Sequence, residues 1–284
     1  MIWLSIPGIL AVVILWSFFV EPNWYRLRQV KVTGQKKVRK PITILHLSDI
    51  HFVKKEGSKR SFFQRLSMLN PDLIFLTGDI IDNDEGIETA ARLISGLRAR
   101  YGTFLVLGNH EYFDYYIGDS VRYHLGLGKT SAHRNNVSRF ISEMQRVGVH
   151  VLVNESMKLN VHGTPILISG TDDPVTQKID FERTLRGLSP ETLNILLIHH
   201  LDGLLKLSHH GIDLVFAGHT HGGQIRVPLL GPVVCETKLG RRYVAGLHTY
   251  KGMTIFVSRG LGASRTLFPR LACRPEAIFF EVLP

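Results

Sequence analysis

Five short apolar runs in this chain each end in residue types that bind metal ions. No other feature of the sequence constrains the fold as much. Residues 42–48 lead into Asp49-Ile50-His51, and residues 73–77 lead into Gly78-Asp79 and then Asp82. Residues 104–107 lead into Gly108-Asn109-His110-Glu111, and residues 195–198 into His199-His200. Residues 214–217 lead into Gly218-His219-Thr220-His221-Gly222-Gly223-Gln224. Short runs rich in Ile, Val, Leu and Phe read as buried strands. Further runs of this kind lie at 166–169, 254–257 and 277–282. Between the strands, residues 85–101 carry Ile87, Ala91, Ile94 and Leu97 near helical spacing, and residues 61–69 do much the same. Strand alternating with helix argues an α/β layered fold. In such folds the site lies beyond the carboxyl ends of the strands. The five clusters are therefore expected on one sheet edge.

Spacing narrows the chemistry. In an extended chain residues i and i+2 face one side, so Asp49 pairs with His51 and His219 with His221. Adjacent residues face opposite ways, so only one of His199 and His200 should enter the site. Glycines before Asp79, Asn109 and His219 permit sharp turns and close backbone approach. A mixed Asp, His and Asn set suits a borderline first-row divalent ion such as Mn, Fe or Zn. The candidates outnumber the ligands of one tetrahedral ion. Two ions sharing a carboxylate, with Asp79 as the bridge, is the economical reading. Only two cysteines occur, Cys235 and Cys273, among 284 residues. That excludes a disulfide scaffold and a cysteine-based zinc finger.

The first twenty residues have a different character. Residues 2–20 carry no formal charge over nineteen positions. As a helix they would span ~28 Å, about one hydrocarbon core. Trp3, Trp16 and Trp24 lie towards the ends, as interfacial aromatics do. A cleaved signal peptide would need a basic start and a small-residue cleavage site, and neither is present. A transmembrane anchor over 1–20 is expected. Residues 21–40 carry seven basic residues against Glu21, which is +6 of the total +10. They read as a basic juxtamembrane stalk. By the positive-inside tendency the stalk places the body, 41–284, in the cytoplasm on a single-pass anchor. It also suits an anionic membrane surface, at ~1 kcal/mol per basic residue. The rest of the chain has a net charge of only +4, so no nucleic-acid partner is expected from charge.

Taken in order, D-x-H, G-D-x-x-D, G-N-H-E, a His after a strand and G-H-x-H resemble the calcineurin-like metallophosphoesterase family. The resemblance covers residues 41–284. Ser258-Arg259-Gly260-Leu261-Gly262 and Arg274-Pro275-Glu276 look like its membrane-associated branch. That branch holds exported or membrane-anchored phosphodiesterases and one type of UDP-2,3-diacylglucosamine pyrophosphatase of lipid A synthesis. The resemblance implies a two-sheet β-sandwich flanked by helices. It implies two divalent ions, Mn first, with Fe or Zn as alternatives. Asp49, His51, Asp79 and His221 would surround one ion, and Asp79, Asn109, His199 and His219 the other. His110 would sit beside the scissile phosphate as the catalytic acid. Asp82 would be supporting rather than ligating. Arg259, and less so Arg265, would bind substrate phosphate.

The implied activity is hydrolysis of a phosphodiester or pyrophosphate at the cytoplasmic membrane. The first expectation for substrate is a nucleotide-lipid, UDP-2,3-diacylglucosamine, giving UMP and the acylated sugar 1-phosphate. The alternative is another lipid or cell-wall phosphodiester. A scaffold without chemistry is disfavoured because every expected ligand is present, and a nuclease is disfavoured by charge. The basic loop and helix over 53–65, with Phe62 and Phe63, reads as a solvated loop with one Phe in the core, or as a membrane-facing face. Residues 112–145, with Tyr112, Phe113, Tyr115, Tyr116, Tyr123 and Phe140, read as a lid or substrate wall, or as an insertion. Residues 126–130 only superficially resemble a P-loop, since the required first glycine is Tyr123 and no strand precedes it.

Overall fold

Side chains alternate across a strand, and that alternation fixes where the core sits. In the computed structural model, which describes residues 2–115, 133–207, 211–262 and 269–284, Ile42 and Ile44 enter one apolar cluster while Leu45 and Leu47 enter another. The first cluster lies between two six-stranded mixed sheets. One sheet runs in the order Arg26–Val32, Glu276–Val282, Ile42–Leu47, Leu73–Thr77, Thr103–Val106 and Val149–Val151. The other runs Gly246–Tyr250, Met253–Val257, Leu214–Ala217, Leu193–Leu197, Thr164–Gly170 and Glu155–Val161. Phe75, Phe104, Phe216, Phe256 and Phe280 fill the space between them. His46 is buried there too, hydrogen-bonded to Thr77 Oγ1 at 2.7 Å. Burial pushes its pKa down to about 3, so it is a neutral core residue.

Helices cover the outer faces. Lys59–Leu66, Ile87–Ser95 and Val137–Arg146 bring Phe62, Ile87, Ile94 and Phe140 onto Leu45, Leu76 and Leu105. Short helical turns bring Leu201, Leu204 and Tyr243 onto the outer face of the second sheet. The expected α/β sandwich is therefore the fold.

The N-terminus departs from expectation in one respect. Residues from Ile2 to Asn23 form a helix that changes pitch at Trp16 and Glu21. Its stretch Ile6–Asn23 is long and apolar enough to cross a membrane, and Ile9, Val12 and Phe19 are exposed. No separate stalk follows. Arg26–Val32 is an edge strand parallel to Glu276–Val282, with Arg26 opposite Glu276 and Val32 opposite Val282. Val30 and Val32 are buried in the sandwich, while Leu27, Gln29 and Lys31 face outward. The reading of 21–40 as a stalk is thus corrected: its charges mask a two-residue alternation.

Candidate metal centre

The strands Ile42–Leu47, Leu73–Thr77 and Thr103–Val106 run parallel in the first sheet, and Leu193–Leu197 and Leu214–Ala217 run parallel in the second. Parallel strands present their carboxyl ends together. All five motif loops follow these ends. They meet at one end of the sandwich between both sheets, rather than along one sheet edge. A hydrogen bond of 2.7 Å from His199 Nδ1 to Thr77 O ties the two sheets at that point.

Among the described residues three groups of clustered donors result: one is His51, Asp82 and His110, and the other two share a carboxylate. Asp49, His51, Asp79 and His221 each place one ligand-type atom within 4.8 Å of the others, and so do Asp79, His199 and His219. His51 Nε2 faces His221 Nε2 at 3.2 Å. His199 Nε2 lies 3.3 Å from Asp79 Oδ2 and 3.3 Å from His219 Nδ1. Asn109 opens the helical turn Asn109–Tyr112, and its Oδ1 is buried without a hydrogen-bond partner, as is Asp49 Oδ2. Unpaired buried acceptors and imidazole nitrogens facing one another are costly alone. A set of this chemistry fits divalent cations. His200 is directed elsewhere, with Nε2 3.0 Å from Glu236 O.

The local backbone differs from the extended form that the spacing predicts. Asp49, His51, Asp79, His219 and His221 have φ of 48, 50, 51, 72 and 48°. This left-handed region is uncommon for residues with a side chain and stores strain, which clusters at functional sites. Asp49 and His51 stay together, but the other i, i+2 pair separates: His221 joins Asp49 and His51, whereas His219 joins His199. Close approach requires glycine at two points. A Cβ on Gly108 would collide with Asp79, and one on Gly218 with Ser48 and Asp49.

A surrounding layer holds these loops. Glu111, fully buried, accepts from the backbone N–H groups of Asp79 (2.9 Å), Ile80 (2.7 Å), Ile81 (3.2 Å) and Gly108 (2.6 Å). The His110 N–H donates to Asp79 Oδ1 at 2.9 Å, and the His219 N–H to Asp49 Oδ1 at 2.8 Å. Asp82 Oδ1 lies 3.3 Å from His51 Nδ1 and 3.4 Å from His110 Nδ1. It orients both rings. A carbonyl can only accept, so the His199 contact with Thr77 O fixes a proton on Nδ1 and directs Nε2 at Asp79.

Charge follows from this packing. Burial pushes Asp49 up to about 7. Burial also opposes ionisation of Asp79, but His199, His110 and His51 outweigh it and hold that carboxyl well below its usual range. Burial lowers His219 and His221 well below the usual imidazole value, the neutral form that a metal needs. Burial disfavours the charged form of His110 as well, yet Asp79 and Asp82 outweigh it and raise its pKa.

Arg259 is half-buried, and its Nε is buried without a hydrogen-bond partner. Arg265, Tyr116 and Tyr123 lie outside the described residues. In the 112–145 segment, the Tyr115 ring lies 4.9 Å from that of His110, tilted by 59°, and Tyr112 Oη donates to Asp172 Oδ1 at 2.6 Å. Phe140 belongs to the core and not to a substrate wall. Phe62 and Phe63 are both buried, so that helix turns no Phe to a membrane. Two residues escaped the sequence reading. Glu111 was visible only as the last letter of a motif. Arg270, fully buried, donates to Arg259 O, Gly262 O and Cys273 O and lies 3.3 Å from His221 Nδ1. No local pattern marks it.

Comparison with known proteins agrees with this geometry. Residues 42–223 match the calcineurin-like phosphoesterase family. The chain is similar to the uncharacterised metallophosphoesterase YkuE of Bacillus subtilis, at 32% identity over 84% of this chain and 76% of that protein. It is similar to the phosphodiesterase YaeI of Escherichia coli, at 29% over 93% and 91%. It is also similar to the UDP-2,3-diacylglucosamine pyrophosphatase LpxG of Chlamydia trachomatis, at 25% over 98% and 96%.

Proposed function

Because the chain belongs to the calcineurin-like phosphoesterase family, we propose that it is a two-metal hydrolase of phosphodiester or pyrophosphate bonds working at a membrane surface. The observation that carries this reading is Asp79, common to two groups of buried donors. Asp49, His51, Asp79 and His221 hold one ion, and Asp79, Asn109, His199 and His219 hold the other, with Mn, Fe or Zn suited to the set. When bound, such a pair supplies Lewis-acid stabilisation of a phosphoryl oxygen and a hydroxide nucleophile at neutral pH.

The chain's own residues do the rest. His110 turns Nδ1 to Asp82, which leaves Nε2 for the substrate. Against burial, Asp79 and Asp82 raise its pKa and so favour the protonated form, which can donate a proton to the leaving oxygen. Arg259 offers a guanidinium with unspent hydrogen-bonding capacity to a substrate phosphate. Asp82 and Glu111 hold the rings and loops in place.

For the substrate, UDP-2,3-diacylglucosamine is the preferred reading. An apolar helix long enough to cross a membrane supports it. So does similarity along nearly the whole chain to a protein named for that pyrophosphatase activity. The basic residues after the helix support a cytoplasmic site on a single-pass anchor. Similarity to a phosphodiesterase over 93% of the chain favours a second reading, another membrane phosphodiester. Full-length protein in detergent with Mn²⁺ and UDP-2,3-diacylglucosamine, followed by mass spectrometry, separates them. UMP release that Asp79→Ala lacks supports the first. Cleavage of bis-p-nitrophenyl phosphate without UMP release selects the second.

A further inference from the structure

One group of large apolar side chains outside the N-terminal helix meets water with no packing reason. Arg226–Val227 pairs antiparallel with Gly231–Pro232, and the turn between them carries Leu229 and Leu230. Leu229 is fully exposed, Leu230 is 70% exposed and Val233 55%. Leu229 also has φ of 67°, a conformation that a bulky residue rarely adopts. Burying a leucine is worth ~1.5–3 kcal/mol, and this domain forgoes that gain twice at adjacent positions. Isolated exposed leucines need no explanation, but a contiguous apolar tip does.

The hairpin's roots say what it meets. The Arg226 N–H donates to Leu271 O at 2.9 Å, and Ile225 bridges Leu271. One residue earlier, the Arg270 N–H donates to Ser17 O at 2.9 Å, and the Cys273 N–H donates to the Glu21 carboxylate. Hairpin and apolar helix are thus fastened to the same short segment, 270–273, directly behind His221. Basic groups flank the tip: Arg226, Arg241, whose Nη1 donates to Leu230 O at 3.2 Å, and exposed Arg242.

We propose that the 226–234 hairpin is a second membrane contact. Leu229 and Leu230 enter the boundary between head groups and acyl chains, and Arg226, Arg241 and Arg242 meet anionic head groups. An apolar tip ringed by arginine matches an interfacial anchor. Its continuity with the helix favours a bilayer over a protein partner. The contact would hold the metal centre at head-group height, where a lipid phosphate lies. This inference rests on the membrane reading of the helix.

The test is depth-dependent quenching in full-length protein carrying Cys235→Ser. A bimane probe is placed by Leu230→Cys, by Leu10→Cys in the helix, or by Glu191→Cys. Glu191 is exposed and precedes Leu193–Leu197 at the end of the sandwich away from His199. Each is reconstituted in phosphatidylethanolamine–phosphatidylglycerol vesicles with brominated acyl chains. We expect the Leu10 and Leu230 probes to lose at least about half their emission, as buried interfacial groups do, while the Glu191 probe is unchanged. Quenching at Leu10 without quenching at Leu230 overturns the hairpin contact alone. Absence of quenching at both removes the membrane reading as well. A Leu230 probe shielded from water but not quenched assigns the tip to a protein partner and likewise overturns the proposal.

Discussion

The two walls of the metal centre meet one need with opposite charges. Both must hold backbone in the left-handed region against a cluster of buried polar groups. The wall from the first sheet does so with carboxylates. Glu111 gathers four backbone N–H groups, and Asp82 steadies two imidazoles. The opposing wall does so with a buried guanidinium, since Arg270 gathers three carbonyl oxygens around His221. Glu111 and Arg270 are both spent on backbone groups, whereas Asp82 is spent on imidazole rings. Glu111 reaches back to its own turn at Gly108 and across to the Asp79–Ile81 loop, about thirty residues earlier in the chain. Arg270 takes its three carbonyls from Arg259, Gly262 and Cys273 in its own stretch of chain, and its backbone N–H is fastened to Ser17 near the N-terminus.

Asp79 stands on the first wall but is common to donor groups that draw on both, so its loss has the largest effect. Asp79→Ala should reduce phosphodiester hydrolysis to background, measured on bis-p-nitrophenyl phosphate. Glu111→Gln comes next, because an amide NH₂ would face N–H donors. A loss of ~100-fold in kcat is expected, the upper range for residues that support metal ligands. Arg270→Met should cost ~10-fold or more by the same reasoning. It should weaken metal binding chiefly through His221. Equal loss of both ions in Arg270→Met would break the two-wall comparison. His110→Ala should leave metal content unchanged. It should slow alkyl esters by ~100-fold or more, within the range of general acid catalysis, and nitrophenyl esters much less. His110 acts protonated, and its pKa is raised, so the wild-type rate should fall as pH climbs past that value. The variant should lack that alkaline limb.

The same contrast explains what could be read in advance. The strands Ile42–Leu47, Leu73–Thr77 and Leu214–Ala217 were legible to the residue, because buried parallel strands are unbroken apolar runs. The ligand-type residues were legible because each follows such a strand. Arg26–Val32 was not, because an edge strand buries one face only, Gln29 and Lys31 fill its exposed face, and Arg26 and Arg28 occupy the start of the face that Val30 and Val32 bury. Glu155–Val161, which carries Lys158 and Asn160 on its exposed face, was missed for the same reason. The pairing of His221 with His51 and of His219 with His199 depends on left-handed turns that no pleat rule anticipates. Arg270 was invisible because its partners come from residues 17, 259, 262 and 273.

The central claim is that Asp79 serves two cation sites at once. Calorimetric titration of metal-free full-length protein with Mn²⁺, checked by elemental analysis, addresses it directly. Wild type should take up two ions per chain, and Asp79→Ala should weaken both sites together. One ion per chain in wild type, or an Asp79→Ala protein that keeps one site at full affinity, would contradict the shared carboxylate.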